Sequence, residues 1–139
     1  MTGGLPERAF VALGSNLGDR AAHLAAAREA LGHLPETRVV AASTVEETAP
    51  LGGMEQPAYL NQMVLLETRL DPHRLLAALQ EIERARGRVR TERWGARSLD
   101  LDIVTYGERR IQEPDLVVPH PELPNRDFWQ RELLELTHA

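Results

Sequence analysis

The alternation of apolar and polar residues predicts four strands and two long amphipathic helices, with a short helix near the C-terminus. The predicted strands are residues 8–14, 38–46, 59–70 and 99–106. The predicted helices are residues 19–34, a helix that starts at residue 71 and ends near residues 84–86, and residues 131–136. Asp19 and Asp71 are suitable N-cap side chains for the two long helices, and Pro72 favours a first helical turn. The order of elements is therefore β-α-β-β-α-β.

This order predicts an α+β fold: a ferredoxin-like antiparallel sheet with helices packed on it and C-terminal additions. The 139 residues suit a single domain, in which we expect residues 1–7 to form a flexible N-terminal tail. The ferredoxin-like arrangement hosts many unrelated activities, so the fold alone does not determine the function.

Composition excludes several classes of site. The chain has no cysteine, which excludes disulfides, thiolate zinc sites and cysteine nucleophiles. All 16 basic residues are arginine, and without lysine there is neither Schiff-base chemistry nor a Walker-type phosphate loop. The sequence has neither an apolar stretch long enough for a membrane span nor a basic signal-peptide start, so we expect a soluble, cytoplasmic protein.

Charge is concentrated in one segment. Residues 84–97 contain six arginines and a single acid, Glu92, although the whole chain has a net charge of −5. Arginine binds phosphate oxygens with two parallel hydrogen bonds. A compact basic patch on an acidic chain favours a small anionic ligand over a long nucleic acid.

Two aspartates follow this basic segment. On a strand, Asp100 and Asp102 would project from the same face, with their backbones about 6.5–7 Å apart. Leu99, Leu101 and Ile103 would then anchor the strand in the core. Paired carboxylates can bind two Mg²⁺ ions, whereas the alternative interpretation is a strand with a solvated acidic face. The adjacent arginines favour a metal and polyphosphate site.

The run RVRTERWGARSLDLDI at residues 88–103 resembles the signature of the 6-hydroxymethyl-7,8-dihydropterin pyrophosphokinase family of folate biosynthesis. Further similar motifs occur in the family's order along nearly the whole chain. They are GSN at residues 14–16, ETAPLG at 47–52, YLN at 59–61, VPHP at 118–121 and NRDF at 125–128. Several separated motifs are more specific than one.

The resemblance implies transfer of pyrophosphate from ATP to the hydroxymethyl oxygen of the dihydropterin, with AMP as the nucleotide product. Asp100 and Asp102 match the family's ligands for two Mg²⁺ ions, and Arg88 and Arg97 match its catalytic arginines. The partners implied are these two small molecules, for a monomer that binds neither nucleic acid nor membrane.

The same resemblance assigns two sets of binding residues. The ATP set comprises Gln80, Glu83, Arg88, Arg90, Arg93, Arg97, Ile103, His120 and Arg126. The pterin set comprises Thr48, Pro50, Leu51, Tyr59, Asn61, Trp94 and Phe128. The stacking faces and amide groups that a pterin ring needs are present in the second set.

Several of these assignments have structural alternatives. His120 could simply cap the Pro-His-Pro turn, and Tyr59 could pack in the core. Gln80 and Glu83 could belong to a solvated helix face. Arg84 and Arg86, outside the matched motifs, are expected on the surface.

The chain departs from the family pattern at three places. Ala96 stands where proline is common, which would loosen the loop without removing a ligand. Asp115 stands where some relatives have a basic residue that contacts ATP, so one phosphate contact is expected to be missing. The C-terminal segment is shorter than the family pattern, which we expect to weaken nucleotide enclosure before it abolishes the chemistry.

Two other functions are compatible with parts of this sequence. RNA-recognition domains share this chain order but present stacking aromatics on the central strands, where this chain has Asp100 and Asp102. A catalytically inactive relative that only binds nucleotide is the second alternative, although all the matched aspartates and arginines are present.

Overall fold

The computed structural model of the protein describes residues 5–49, 58–87 and 98–137. The strands are β1 (Glu7–Ser15), β2 (Thr37–Ala42), β3 (Glu46–Thr48), β4 (Tyr59–Thr68), β5 (Asp100–Tyr106), β6 (Ile111–Glu113) and β7 (Leu116–Val118). The helices are α1 (Arg20–Gly32), α2 (Pro72–Ala85) and α3 (Asp127–Thr137), with a 3-10 turn at Leu123–Asn125. Within these residues, no helix has the length and apolarity needed to cross a membrane.

The main sheet is antiparallel, with strand order β2-β4-β1-β5 and with β3 also paired to β4. The predicted α+β class with helices packed on an antiparallel sheet is confirmed. Asp19 and Asp71 accept hydrogen bonds from the first turns of α1 and α2, as the sequence predicted. Glu7, expected in the N-terminal tail, is instead the first residue of β1 and pairs with Thr68.

Each face of the sheet packs against different helices. On one face, alternate residues of β1, β4 and β5 form the larger core with the apolar residues of α1 and α2. On the other face, Ala12, Met63 and Val104 pack against Phe128 and Trp129 of α3. Because side chains alternate along a strand, the residues near Ala12 and Val104 that share their face lie on the side of α3.

The predicted strand at residues 38–46 is wrong in its middle. Between β2 and β3, the Thr44 backbone amide donates to the carboxylate of Glu135 on α3 at 2.9 Å. The Ser43 hydroxyl meanwhile accepts from the Met63 amide of β4 at 2.9 Å. A contact with a distant helix thus interrupts the ladder, and no local pattern signals it.

The C-terminal additions also differ from the prediction. A two-stranded hairpin, β6 and β7, occupies part of the proline-rich segment. Helix α3 begins at Asp127 rather than near residue 131, because Phe128 and Trp129 are buried in its first turn. This earlier start places α3 directly against the sheet.

Candidate active site

Asp100 and Asp102 project from the α3 side of β5, as the spacing predicted. Asp100 lies opposite Gly14 of β1, and Asp102 lies opposite Ala12. Both aspartates are half-buried, while Leu101 and Ile103 point into the core. The carboxylates are therefore held by a well-packed strand and remain accessible from one side.

His120 lies beside Asp102, with 3.7 Å between its Nε2 and the carboxylate Oδ1. Its backbone amide donates to the Val104 carbonyl at 2.9 Å, which fixes the loop on β5. The Glu122 amide contacts the ring Nδ1 at 3.0 Å, so Nδ1 accepts and a neutral ring carries its proton on Nε2. The capping role considered for His120 is thus present, and the same cap aims Nε2–H towards Asp102.

An aromatic ring connects His120 to Arg126. Trp129 meets the edge of the His120 ring at 5.0 Å between centroids. The Arg126 guanidinium lies 4.5 Å from the centroid of the same indole. Within the described residues, the buried Nε of Arg126 has no hydrogen-bond partner. The guanidinium is therefore positioned by stacking, and its buried Nε–H is an unsatisfied donor within the described residues.

A cleft of about 230 Å³ opens next to Asp102. Leu76 of α2, Ile103 of β5 and His120 line it together with the β6–β7 hairpin. Its lining combines apolar side chains with the carboxylates of Asp102 and Asp115 and the imidazole of His120. Ile103 and His120, which the sequence assigned to ATP, are thus brought to one cavity.

The two assigned residues of α2 have different environments. Gln80 is exposed. Glu83 is buried, and its carboxylate accepts a hydrogen bond from the Leu101 backbone amide at 2.7 Å. In this structure Glu83 therefore joins α2 to β5, and the assignment of both residues to ATP stays a prediction.

Three residues assigned to the pterin, Thr48, Tyr59 and Asn61, lie close together where β4 begins. The Asn61 amide donates to the Thr48 hydroxyl at 2.6 Å. Tyr59 pairs with Thr48 in the β3–β4 ladder, and Gly14 lies opposite Asn61 on the other neighbouring strand. A Cβ at Gly14 would meet Asn61 Oδ1 at 3.4 Å and the Tyr59 ring at 3.5 Å. A side chain at this position would therefore contact both of these groups.

Gly14 also connects the two halves of the site. Asn61, Gly14 and Asp100 form one row across β4, β1 and β5. With adjacent strands about 4.8 Å apart, the backbones of Asn61 and Asp100 are separated by about 10 Å. Phe128, 8% exposed, packs on this face from α3. The assigned pterin groups thus share a face of the sheet with the paired carboxylates.

Seven assigned residues lie outside the described part of the chain. They are Pro50, Leu51, Arg88, Arg90, Arg93, Trp94 and Arg97. Their roles stay predictions from the sequence.

Sequence reasoning missed Trp129, which contacts His120, Arg126 and Phe128. Trp129 directly follows the matched NRDF motif, and this position could have indicated a role at the site, because adjacent helical residues can both face a sheet. Asp115, noted as a departure from the family, has its carboxylate 3.9 Å from His73 Nδ1 and also lines the cleft.

Comparisons with known proteins agree with this geometry. A family model described as 7,8-dihydro-6-hydroxymethylpterin-pyrophosphokinase (HPPK) matches residues 10–138. A 2-amino-4-hydroxy-6-hydroxymethyldihydropteridine pyrophosphokinase of Haemophilus influenzae is 44% identical over 92% of this chain and 80% of that protein. A protein of the same name from Pseudomonas aeruginosa is 46% identical over 94% of this chain and 80% of its own length. The bifunctional protein FolKE of Lactococcus lactis is 38% identical over 91% of this chain and 36% of its own length.

Proposed function

The chain belongs to the 7,8-dihydro-6-hydroxymethylpterin-pyrophosphokinase family, and we propose that it transfers pyrophosphate from ATP to 6-hydroxymethyl-7,8-dihydropterin in folate biosynthesis. The observation that carries the proposal is the family match over residues 10–138, within which Asp100 and Asp102 share one accessible face. An RNA-recognition function is disfavoured, because this face presents the carboxylates of Asp100 and Asp102 where RNA-recognition domains present stacking aromatic residues.

The carboxylate pair fits Mg²⁺. Asp100 and Asp102 offer hard oxygen ligands, and the Asp102 side chain is 40% exposed, which leaves room for phosphate and water ligands. We assign both residues to two Mg²⁺ ions. When bound, Mg²⁺ neutralises phosphate charge and lowers the pKa of an adjacent hydroxyl group.

The nucleotide is proposed to occupy the cleft between Ile103 and His120. His120 Nε2–H can donate to a phosphate or ribose oxygen, and the guanidinium of Arg126, stacked on Trp129, can supply a second, charge-assisted hydrogen bond. Arg88 and Arg97 are proposed to bind the transferring phosphates, with Arg90 and Arg93 as further ATP contacts. Gln80 and Glu83 remain part of the proposed ATP set.

The pterin is proposed to lie over Gly14. Asn61 and Thr48 supply hydrogen-bonding groups, and Tyr59 and Phe128 supply aromatic surface. Pro50, Leu51 and Trp94 complete the proposed set. This placement brings the pterin within one row of Asp100 and hence towards the phosphates.

In the reaction, the hydroxymethyl oxygen bonds to the β-phosphorus while the bond from that phosphorus to the α,β-bridging oxygen breaks. The hydroxyl proton is released, and AMP retains the bridging oxygen. Catalysis of this kind depends on alignment and charge neutralisation rather than on covalent participation of the protein. The residues of the site therefore act by holding two substrates in line.

We also propose that the protein is a monomer in the cytoplasm. It works on two small molecules and requires neither nucleic acid nor a membrane.

The nucleotide product tests the reaction. With Mg²⁺, ATP and the dihydropterin, we expect chromatography to show AMP and no ADP. Asp102→Asn should lower kcat by roughly 10²–10⁴-fold, since metal charge stabilisation contributes several kcal/mol. Its circular dichroism and thermal unfolding should match those of Asp127→Asn, an exposed control that keeps turnover.

Three results would contradict the proposal. ADP as the product would indicate transfer of a single phosphoryl group. Nucleotide binding without turnover would identify an inactive relative. Wild-type turnover by Asp102→Asn would refute the metal role of this carboxylate.

A further inference from the structure

Helix α3 places a carboxyl group in the interior of the protein, outside the substrate set. Glu132 is 1% exposed. Within the described residues, no hydrogen-bond donor reaches either of its carboxylate oxygens. A buried ionised carboxylate without a donor is strongly unfavourable, so this group needs a proton or a partner.

The partner is another carboxylate, Glu46 of β3. Arg131 contacts one oxygen of Glu46, with Nε at 3.1 Å and Nη2 at 3.0 Å. The other oxygen, Oε2, is buried without a donor from the described residues, as are both carboxylate oxygens of Glu132. Arg131 immediately precedes Glu132 on α3, so its ion pair with Glu46 holds this part of α3 against β3. One oxygen of Glu46 thus faces a cation, while the remaining oxygen is available to a protonated Glu132.

The surrounding charges favour this protonation state. Burial raises the pKa of Glu132 to about 9, and the hydrogen bond and charge of Glu46 act in the same direction. Glu135 adds a smaller contribution of the same sign, and Arg131 opposes it. Because Arg131 also contacts Glu46 directly, the negative charge stays on Glu46 and the proton stays on Glu132.

The pair joins two walls of the proposed pterin site. Glu46 lies opposite Asn61 in the β3–β4 ladder, and opposite residues share a face of the sheet. Glu132 lies one helical turn after Phe128 on α3, and both side chains are buried. A bond between Glu132 and Glu46 therefore sets the position of Phe128 relative to Asn61.

We propose that Glu132, as a neutral carboxylic acid donating to Glu46, is a positioning residue for the pterin site. The identity of the ligand rests on the proposed function, whereas the proton on Glu132 does not. The hydrogen bond fixes α3 against β3, and ionisation of Glu132 sets two buried negative charges against each other. The part of α3 that carries Phe128 is then the first to shift away from β3.

A proton titration tests the first half of the proposal without any substrate. In protein labelled with carbon-13 at the glutamate carboxyl groups, the resonance lost in Glu132→Gln should titrate at alkaline pH. Titration of that resonance below pH 6 would overturn the proposal, whatever reaction the protein catalyses.

Substrate kinetics test the second half. Glu132→Gln keeps a neutral donor, so its KM for the pterin at pH 7 should stay within about twofold of wild type. Glu132→Ala loses the hydrogen bond, and its KM for the pterin should rise about tenfold with little change for ATP. As pH rises through 9, wild-type KM for the pterin should rise relative to Glu132→Gln.

Glu29→Gln is the matched control, because it makes the same change at an exposed position of another helix, α1. It should follow the wild-type pH profile. Equal rises of both substrate KM values in Glu132→Ala, or identical pH profiles for wild type and Glu132→Gln, would refute positioning. Absence of wild-type turnover would instead refute the proposed function, and the titration would still decide the state of Glu132.

Discussion

At the scale of single residues, Gly14 shows how a missing side chain shapes the site. It lies between Asn61 and Asp100 in one row across the sheet. Its sequence signal was only the small GSN motif after the first strand. In the proposed site, a side chain at this position would project between the proposed pterin groups and the carboxylates.

Gly14→Ala is expected to separate folding from function. The added Cβ would make ordinary contacts with Asn61 and Tyr59, so the free energy of unfolding should change by less than about 1 kcal/mol. The methyl group would crowd the pterin, and overpacking of 1–3 kcal/mol corresponds to a rise in its KM of about tenfold or more. Steady-state kinetics with each substrate varied would measure this, with little change expected for ATP.

Gly32→Ala is the matched control, because its added Cβ comes no closer than 4.0 Å to Val39, far from the site. It should keep wild-type KM values for both substrates. An unchanged KM for the pterin in Gly14→Ala would place the ring elsewhere on the protein.

At the scale of elements, the carboxylate of Glu83 couples α2 to the strand that carries the aspartates. It accepts from the Leu101 amide, which lies between Asp100 and Asp102. The periodicity of α2 placed Glu83 near its polar side, yet the residue is buried. A helix residue next to the apolar stripe can accept a hydrogen bond from the backbone of a strand. Sequence periodicity alone does not distinguish this buried environment from exposure to solvent.

Glu83→Ala should leave the buried Leu101 amide without its acceptor. We expect a loss of about 2 kcal/mol in the free energy of unfolding, measured by denaturant titration. Glu81→Ala, two residues earlier on the exposed surface, removes only a surface pair with Arg84 and should change stability by less than about 0.5 kcal/mol. Equal stabilities of the two variants would show that the Glu83 bond contributes nothing net.

At the scale of the whole molecule, α3 closes the second face of the sheet, and the Glu46 and Glu132 pair makes this packing sensitive to pH. The pKa of Glu132 is raised from 4.5 to about 9 in the folded protein. Its contribution to stability is therefore fully present below pH 4.5 and is lost as pH rises towards 9. The folded state becomes progressively less favoured across that interval.

Glu132→Gln removes this titration and should gain stability relative to wild type as pH rises. The difference in the free energy of unfolding should grow by up to about 1.4 kcal/mol per pH unit, to roughly 3 kcal/mol between pH 4.5 and 7. Denaturant unfolding at several pH values would measure it. A difference that is constant with pH would show that Glu132 keeps an ordinary pKa.

Much of the fold was predictable because its signals are local. Strand alternation placed Asp100 and Asp102 on one face, and the capping chemistry of Asp19 and Asp71 marked both long helices. These features depend on backbone geometry over a few residues. The break at residues 43–45 was not predictable, because its cause is a hydrogen bond from Thr44 to distant Glu135.

The sequence by itself determined the family, the alternation that pairs the two aspartates, and the residue types available to phosphate and pterin. Only the tertiary structure decided which of these residues meet: Asp102 with His120, Gly14 between Asn61 and Asp100, and Glu132 against Glu46. The physical reason is the range of the forces involved. Backbone geometry acts between neighbours in sequence, whereas burial and hydrogen bonding act between neighbours in space, which strand pairing and helix packing select.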